Sequence, residues 1–105
     1  MKKINLYEAG EFSEKGFNRL LVHDSPYFKI LNFNFKAGQE LPRHAHDIDG
    51  QVSFLIIEGE GEFLSRGSHS VKAKPGDVFI SDLAEPHGVK AWTDLRVLIT
   101  IAPPI

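Results

Sequence analysis

Hydrophobic and polar positions alternate along this chain in short stretches, and glycines and prolines interrupt them about every ten residues. The pattern is clearest from Tyr27 to Phe35. There Leu31, Phe33 and Phe35 fall on one face, with Asn32 and Asn34 opposite, until Ala37-Gly38 stops the strand. Two earlier strands are expected, Lys3 to Tyr7 and Phe17 to Val22, the second closed by the turn signal His23-Asp24-Ser25-Pro26. Gln51 to Ile57 is an apolar run rich in β-branched and aromatic residues. Glu58-Gly59 turns it, and Glu62 to Arg66 returns. After Gly67-Ser68 come a short alternating stretch, Ser70 to Lys74, and the turn Pro75-Gly76-Asp77. Val78 to Ser81 and Leu95 to Ile101 complete the set before Pro103-Pro104. The one segment with any helical pattern is Glu8 to Lys15. Eight or nine short strands at such spacing predict an all-β sandwich or barrel. No repeat, linker or low-complexity tract divides the chain, so residues 1–105 are expected to form a single domain.

Composition narrows the function classes. With 105 residues, 42% hydrophobic and 25% charged, the chain can bury one core and is not disordered by composition. A net charge of -2 and a pI near 6.2 supply no basic field, so no nucleic-acid partner is expected. The absence of cysteine excludes disulfides, thiolate metal sites, iron–sulfur clusters and a thiol nucleophile. No apolar stretch follows Lys2-Lys3, and no run approaches the ~18 apolar residues of a membrane span. No membrane partner is therefore expected, and the protein is expected in the cytoplasm.

Candidate chemistry centres on histidine. His23 and His69 sit beside turn residues and read as ordinary surface or hydrogen-bonded histidines. His44-Ala45-His46 differs, because residues two apart on an extended strand project to the same face. Two such imidazoles form a natural pair of metal ligands, although two histidines on a polar face would show the same pattern. Gly38 and Pro42 precede the pair, Asp47-Ile48-Asp49-Gly50 supplies a turn, and Gln51 opens the next strand. Further on stand Pro75-Gly76-Asp77-Val78-Phe79-Ile80 and Glu85-Pro86-His87-Gly88.

With these residues the sequence resembles the cupin superfamily. The first cupin motif runs from a glycine through H-x-H to a glutamate and a later glycine. Its counterparts here are Gly38, His44, His46, Gln51 and Gly59. The second motif joins P-G-D to a later P-H, matched by Pro75-Gly76-Asp77 and Pro86-His87. The likeness covers Gly38 to Ile101. It implies a cupin jelly-roll β-barrel around one divalent transition metal ion, with Fe, Mn, Ni, Cu and Zn all admissible. The ligands it implies are His44, His46 and His87, with Gln51 at the usual glutamate position. Phe33 and Phe35, on the strand leading into the first motif, would help wall a small-molecule pocket.

Two departures from the pattern carry information. Gln51 is neutral, so three imidazoles and an amide leave the metal charge uncompensated and favour an anionic substrate. The register is also ambiguous. Counting back from Gly59 turns Val52, Phe54 and Ile56 inward. Taking Gln51 as the ligand turns Gln51, Ser53, Leu55 and Ile57 inward, with a bulge at Gly50. Both sets are apolar, and Gln51 is preferred here as the oxygen ligand. Asp47 and Asp49 read as turn formers, and Glu58, Glu60 and Glu62 as surface charge. Trp92, out of parity with His87, is expected outside the barrel or in an oligomer contact. Ser53, Ser65, Ser68, Ser70 and Ser81 lack a nucleophile-elbow context, and Gly59-Glu60-Gly61 is no phosphate loop.

The resemblance leads to a metal-dependent oxidoreductase, isomerase or lyase acting on a small oxygen-bearing molecule. The alternatives are a non-catalytic small-molecule-binding or sensing barrel and a metal-free scaffold. With no helix-turn-helix pattern, sensing would pass through a partner chain. Because histidines ligate only when neutral, metal occupancy should fall in acid. Both faces of Gln51 to Ile57 are apolar, so the N-terminal strands or a second subunit must cover one of them. A homodimer is expected.

Overall fold

The period-two alternation becomes nine strands in two antiparallel sheets, in a computed structural model that describes residues 1–105. In chain order the elements are α1 (Leu6–Ala9), β1 (Asn18–Asp24), β2 (Lys29–Phe35), β3 (Glu40–His44), β4 (Gln51–Glu58), β5 (Gly61–Leu64), β6 (Ser70–Ala73), β7 (Val78–Asp82), β8 (His87–Ala91) and β9 (Leu95–Ala102). One sheet has the order β1-β2-β9-β4-β7 and the other β3-β8-β5-β6. The two sheets face each other as a jelly roll, the architecture that the resemblance to cupins implies.

The core lies between the inner faces of these sheets. Phe33 and Phe35 of β2 enter it with Val52, Phe54 and Ile56 of β4 and Leu95, Val97, Ile99 and Ile101 of β9. Phe63, Ala73, Val89 and Ala91 meet them from the other sheet. The rings of Phe54, Phe63 and Phe79 stack, with centroids 4.9 to 6.5 Å apart.

This packing settles the register of β4. Val52, Phe54 and Ile56 point inward, and Gln51 points out to solvent. The irregularity in the β4–β9 ladder falls between Ile56 and Glu58 rather than at Gly50. Gly59 fixes the turn that follows. Its φ is +86°, and a Cβ there would lie 1.9 Å from the Asp94 carbonyl oxygen. The turn therefore presses against the start of β9 and holds the inward set in place.

The N-terminal segment corrects the expectation of a strand from Lys3 to Tyr7. Leu6–Ala9 is one turn of helix, capped by the Asn5 side chain, whose Oδ1 accepts from the Tyr7 and Glu8 amides at 2.9 and 3.1 Å. This helix overlaps the start of the Glu8 to Lys15 candidate and stops at Gly10. The segment crosses the outer face of β2 and β9. Asn34 Nδ2 donates to the Glu11 carbonyl at 3.0 Å, and the Arg96 guanidinium lies between the Tyr7 and Phe12 rings at 4.6 and 4.9 Å. Asn32 and Asn34 are accordingly buried at 1% and 0% exposure. Their amides bond main chain instead of water, so a polar face has become an interior one.

Candidate metal centre

His44 and His87 face each other across the β3–β8 ladder, and local backbone geometry explains how they meet. Regular pairing runs Glu40 to Lys90 and Leu41 to Val89, then skips to His44 opposite His87. The irregularity at Pro42-Arg43 is a bulge that re-aims the end of β3. Gly88 makes room for it, since a Cβ at that position would lie 2.4 Å from the Leu41 carbonyl oxygen. His46 lies beyond the strand, in the loop, where its amide donates to the Leu83 carbonyl at 2.7 Å.

The three imidazoles converge. Each offers a ring nitrogen, and these nitrogens all lie within 4.8 Å of one another. Ring centroids of His44 are 5.2 Å from His46 and 4.5 Å from His87. Backbone carbonyls set two of the tautomers. His44 Nδ1 donates to the Pro42 oxygen at 3.0 Å, and His87 Nδ1 donates to the Glu85 oxygen at 2.7 Å. Carbonyls only accept, so Nδ1 carries the proton and Nε2 presents its lone pair to the cluster. His87 is 2% exposed, and burial pushes its imidazole below the ordinary value of 6.5. The Glu85 carbonyl opposes this shift, while His44 and His46 add to it. The buried ring is thus held neutral, the state a metal ligand requires. Three converging imidazoles, two of them with Nε2 aimed at the cluster, fit a borderline transition metal such as Zn, Fe, Ni or Cu.

The other expected site residues divide. Val52, not Gln51, shares the histidines' face and lines the cavity above them. Gln51 is exposed, and its Nε2 donates to Asp82 Oδ1 at 3.1 Å. This corrects its assignment as a metal ligand. Strand parity explains the correction, because the Gly59 turn fixes β4 one residue away from the register a Gln51 ligand needs. Phe33 lines the cavity, whereas Phe35 is fully buried in the core and does not. Phe35 instead packs, tilted, at 4.9 Å against Phe17, which immediately precedes β1. Trp92 lies outside the barrel as expected, its Nε1 donating to Glu62 Oε2 at 2.7 Å. His23 packs on Phe28 away from the cluster, and the His69 carbonyl ties down the β5–β6 turn.

The cavity above the histidines measures about 580 Å³. Its walls are mainly apolar, with Leu31, Phe33, Val52, Phe54, Ile99 and Ile101 prominent. Sequence reasoning missed Arg19 and Arg43, which also line it. No sequence signal singled out Arg19, because Leu20 and Val22 on the opposite parity of β1 are as apolar as Leu21 on its own.

Comparison with known proteins agrees with this geometry. The cupin domain model matches residues 31–101. An RmlC-like cupin protein from Desulfovibrio desulfuricans is 50% identical, with a TM-score of 0.96 over 100% of this chain and 99% of that one. KdgF from a Halomonas species is 25% identical, with a TM-score of 0.80 over 95% and 92% of the two chains. An ectoine synthase from P. lautus is 26% identical, with a TM-score of 0.75 over 100% and 80%. No curated protein matches significantly. A jelly roll with three converging histidines, a family model spanning most of the sequence and a near-superimposable RmlC-like cupin lead to one statement: this chain belongs to the cupin family.

Proposed function

We propose that the chain is a small metal-dependent cupin enzyme acting on a small oxygen-bearing molecule, with His44, His46 and His87 as its protein ligands. The observation that carries this reading is the convergence of three imidazoles, two with tautomers fixed by backbone carbonyls, at the floor of an apolar cavity. A cavity of about 580 Å³ lies within the range of small-molecule sites. Likeness to an ectoine synthase at 26% identity supports catalysis in a barrel of this kind. When bound, a metal would polarise an oxygen of the substrate as a Lewis acid or, if redox-active, take part in electron transfer. The chain's own residues aim the donor nitrogens of His44 and His87 at one point, and the apolar walls orient the substrate body.

A second reading, a barrel that binds without reacting, is favoured by one feature. No aspartate, glutamate or tyrosine side chain lines the cavity, so none of these stands ready as a general base. Metal content of purified wild-type and His46→Ala protein tests the site itself. Near-stoichiometric metal in the wild type, lost in the variant, is expected. No uptake after incubation with Fe, Mn, Ni, Cu or Zn would refute the metal assignment. Oxygen uptake and substrate turnover by the loaded protein then separate enzyme from binder.

The same reading takes the protein as a homodimer. β7 is an edge strand with β4 on one side only. Its outer face carries Val78 and Ile80 at 56% and 64% exposure, beside Leu55 of β4 and Leu98 of β9. Two-fold pairing with a second copy would cover this apolar edge with the same patch. Sedimentation should give a dimer for wild type and a monomer for Ile80→Lys. A wild-type monomer at micromolar concentration would refute it.

A further inference from the structure

The cavity has a one-sided electrostatic character. No aspartate or glutamate lines it, while Arg19 and Arg43 do. Arg43 is committed to the protein, with Nε donating to the Ser65 carbonyl at 2.6 Å and Nη2 to the His69 carbonyl at 3.0 Å. Arg19 is not. It makes none of the ion pairs in the molecule and donates to no protein acceptor. Its place is nevertheless fixed. Arg19 pairs across the ladder with Phe33, which puts it on the inner face of the sheet. Its guanidinium carbon lies 5.1 Å from the Phe17 ring centroid and 5.4 Å from that of Phe33. Because β1 is an edge strand, this inward charge stands at the rim of the cavity rather than in the core. A guanidinium held over two aromatic faces, with its donors unspent, is a preformed fork for an anion.

The rest of the lining selects among anions. A phosphate would need more donors than one fork, and the walls between Arg19 and the histidines are Leu31, Phe33, Val52, Phe54, Ile99 and Ile101. We infer that the cavity takes a small organic acid with an apolar body, and that Arg19 binds its carboxylate. This inference deepens the metal-site reading and rests on it only for the choice of cavity. It also accounts for the charge at the site, since three neutral imidazoles leave a bound dication uncompensated and an anionic ligand restores the balance.

Edge strands also carry inward charges simply to block pairing with other chains. That role needs a cation but no fork, so Arg19→Lys would preserve it. The test uses matched probes: benzoate, hydrocinnamate and octanoate, each against its own amide, with inorganic phosphate as a further arm. Binding is measured by calorimetry on metal-free and zinc-loaded wild type, Arg19→Gln and Arg19→Lys, with metal content determined on every sample. Arg19 is exposed, and unchanged thermal unfolding of both variants will establish that they fold. At least one acid should bind about tenfold more tightly than its amide in wild type. In metal-free protein, where no dication attracts the carboxylate, Arg19→Gln should abolish that preference, and Arg19→Lys should reduce it. Equal binding of acids and amides across the panel, a preference unchanged in metal-free Arg19→Gln, or phosphate binding more tightly than every acid would overturn the inference. A carboxylate preference in protein that takes up no metal would sustain it and defeat the metal reading. Stoichiometric metal without that preference would do the reverse.

Discussion

Replacing Gln51 tests the register on which the metal site depends. Gln51→Ala removes an exposed amide whose hydrogen bond to Asp82 spans 3.1 Å and competes with water. Such a bond is worth about 0.5 kcal/mol, which moves Tm by about 2–4 °C in a domain of this size. Its effect on metal binding should be smaller still, because the side chain lies on the face of β4 opposite the histidines. The zinc Kd should stay within about twofold of wild type. His46→Ala provides the contrast. His46 is exposed, so truncation spares the core, yet it removes one of three converging nitrogens. Loss of an outer-shell partner alone costs about 10–100-fold in metal affinity, so loss of a ligand should cost more than about 100-fold.

Competition titration of zinc against a chromophoric chelator reads both values, and denaturant unfolding on the same samples confirms the fold. A Gln51→Ala protein that folds normally but binds zinc tenfold or more weakly would refute the reasoning. It would mean that the amide reaches the ion, and that β4 sits one residue from the register described.

Val52→Glu makes the complementary change, placing a carboxylate on the inward face at a position 2% exposed. Zinc affinity should rise at least about tenfold, while metal-free protein loses about 1–3 kcal/mol in urea unfolding. Acidification should destabilise the protein through His87. Its folded-state affinity for a proton is depressed, so the unfolded chain protonates first, and stability falls as pH drops below 6.5 toward the folded-state value. Between about pH 7.5 and about pH 5.5 the wild type should lose more stability than His87→Gln. Equal losses would show that His87 is not held neutral by the fold. Gly59→Ala should cost at least about 2 kcal/mol, because its Cβ would meet the Asp94 carbonyl in a positive-φ turn. A neutral result would exclude the close approach. Asn34→Ala should cost about 1–3 kcal/mol and speed proteolysis near Glu11, whose carbonyl the amide holds. Unchanged cleavage would mean that the segment is anchored elsewhere.

The fold was legible because its strands carry two kinds of mark. Alternation in β2 and β9 and turn residues at Gly59, Gly67 and Pro75-Gly76 placed the hairpins. The H-x-H and P-H elements named the three histidines that the structure brings together. What escaped the sequence was sidedness, together with β3 and β8, two short strands around the histidines that the alternation pattern left unassigned. Asn32 and Asn34 look like a solvent face until the N-terminal segment covers them, and the residues that reach them, Gly10 and Glu11 just past the one-turn helix, carry no sequence mark of that contact. Likewise, β4 is apolar on both faces, so no hydrophobic count distinguishes Gln51 from Val52. The count back from Gly59 pointed to the observed register, and the tertiary contact that enforces it, the approach of the Gly59 turn to Asp94, joins residues too far apart for a local pattern to show.

That register shapes the chemistry of the site. In the inward register, a valine occupies the place from which a carboxylate would neutralise a dication, and no aspartate or glutamate lines the cavity. Hydrocarbon cannot screen the charge, and neutral imidazoles donate electron density without removing it. The balancing anion must then come with the ligand, and the free guanidinium at the rim adds attraction of the same sign. The Gln51 titration and the acid-against-amide comparison thus probe one charge balance from opposite ends. An indifferent Gln51 implies a site short of negative charge, and a site short of negative charge should prefer acids. Moving a carboxylate into the barrel at Val52 should therefore weaken that preference in zinc-loaded protein while tightening the metal.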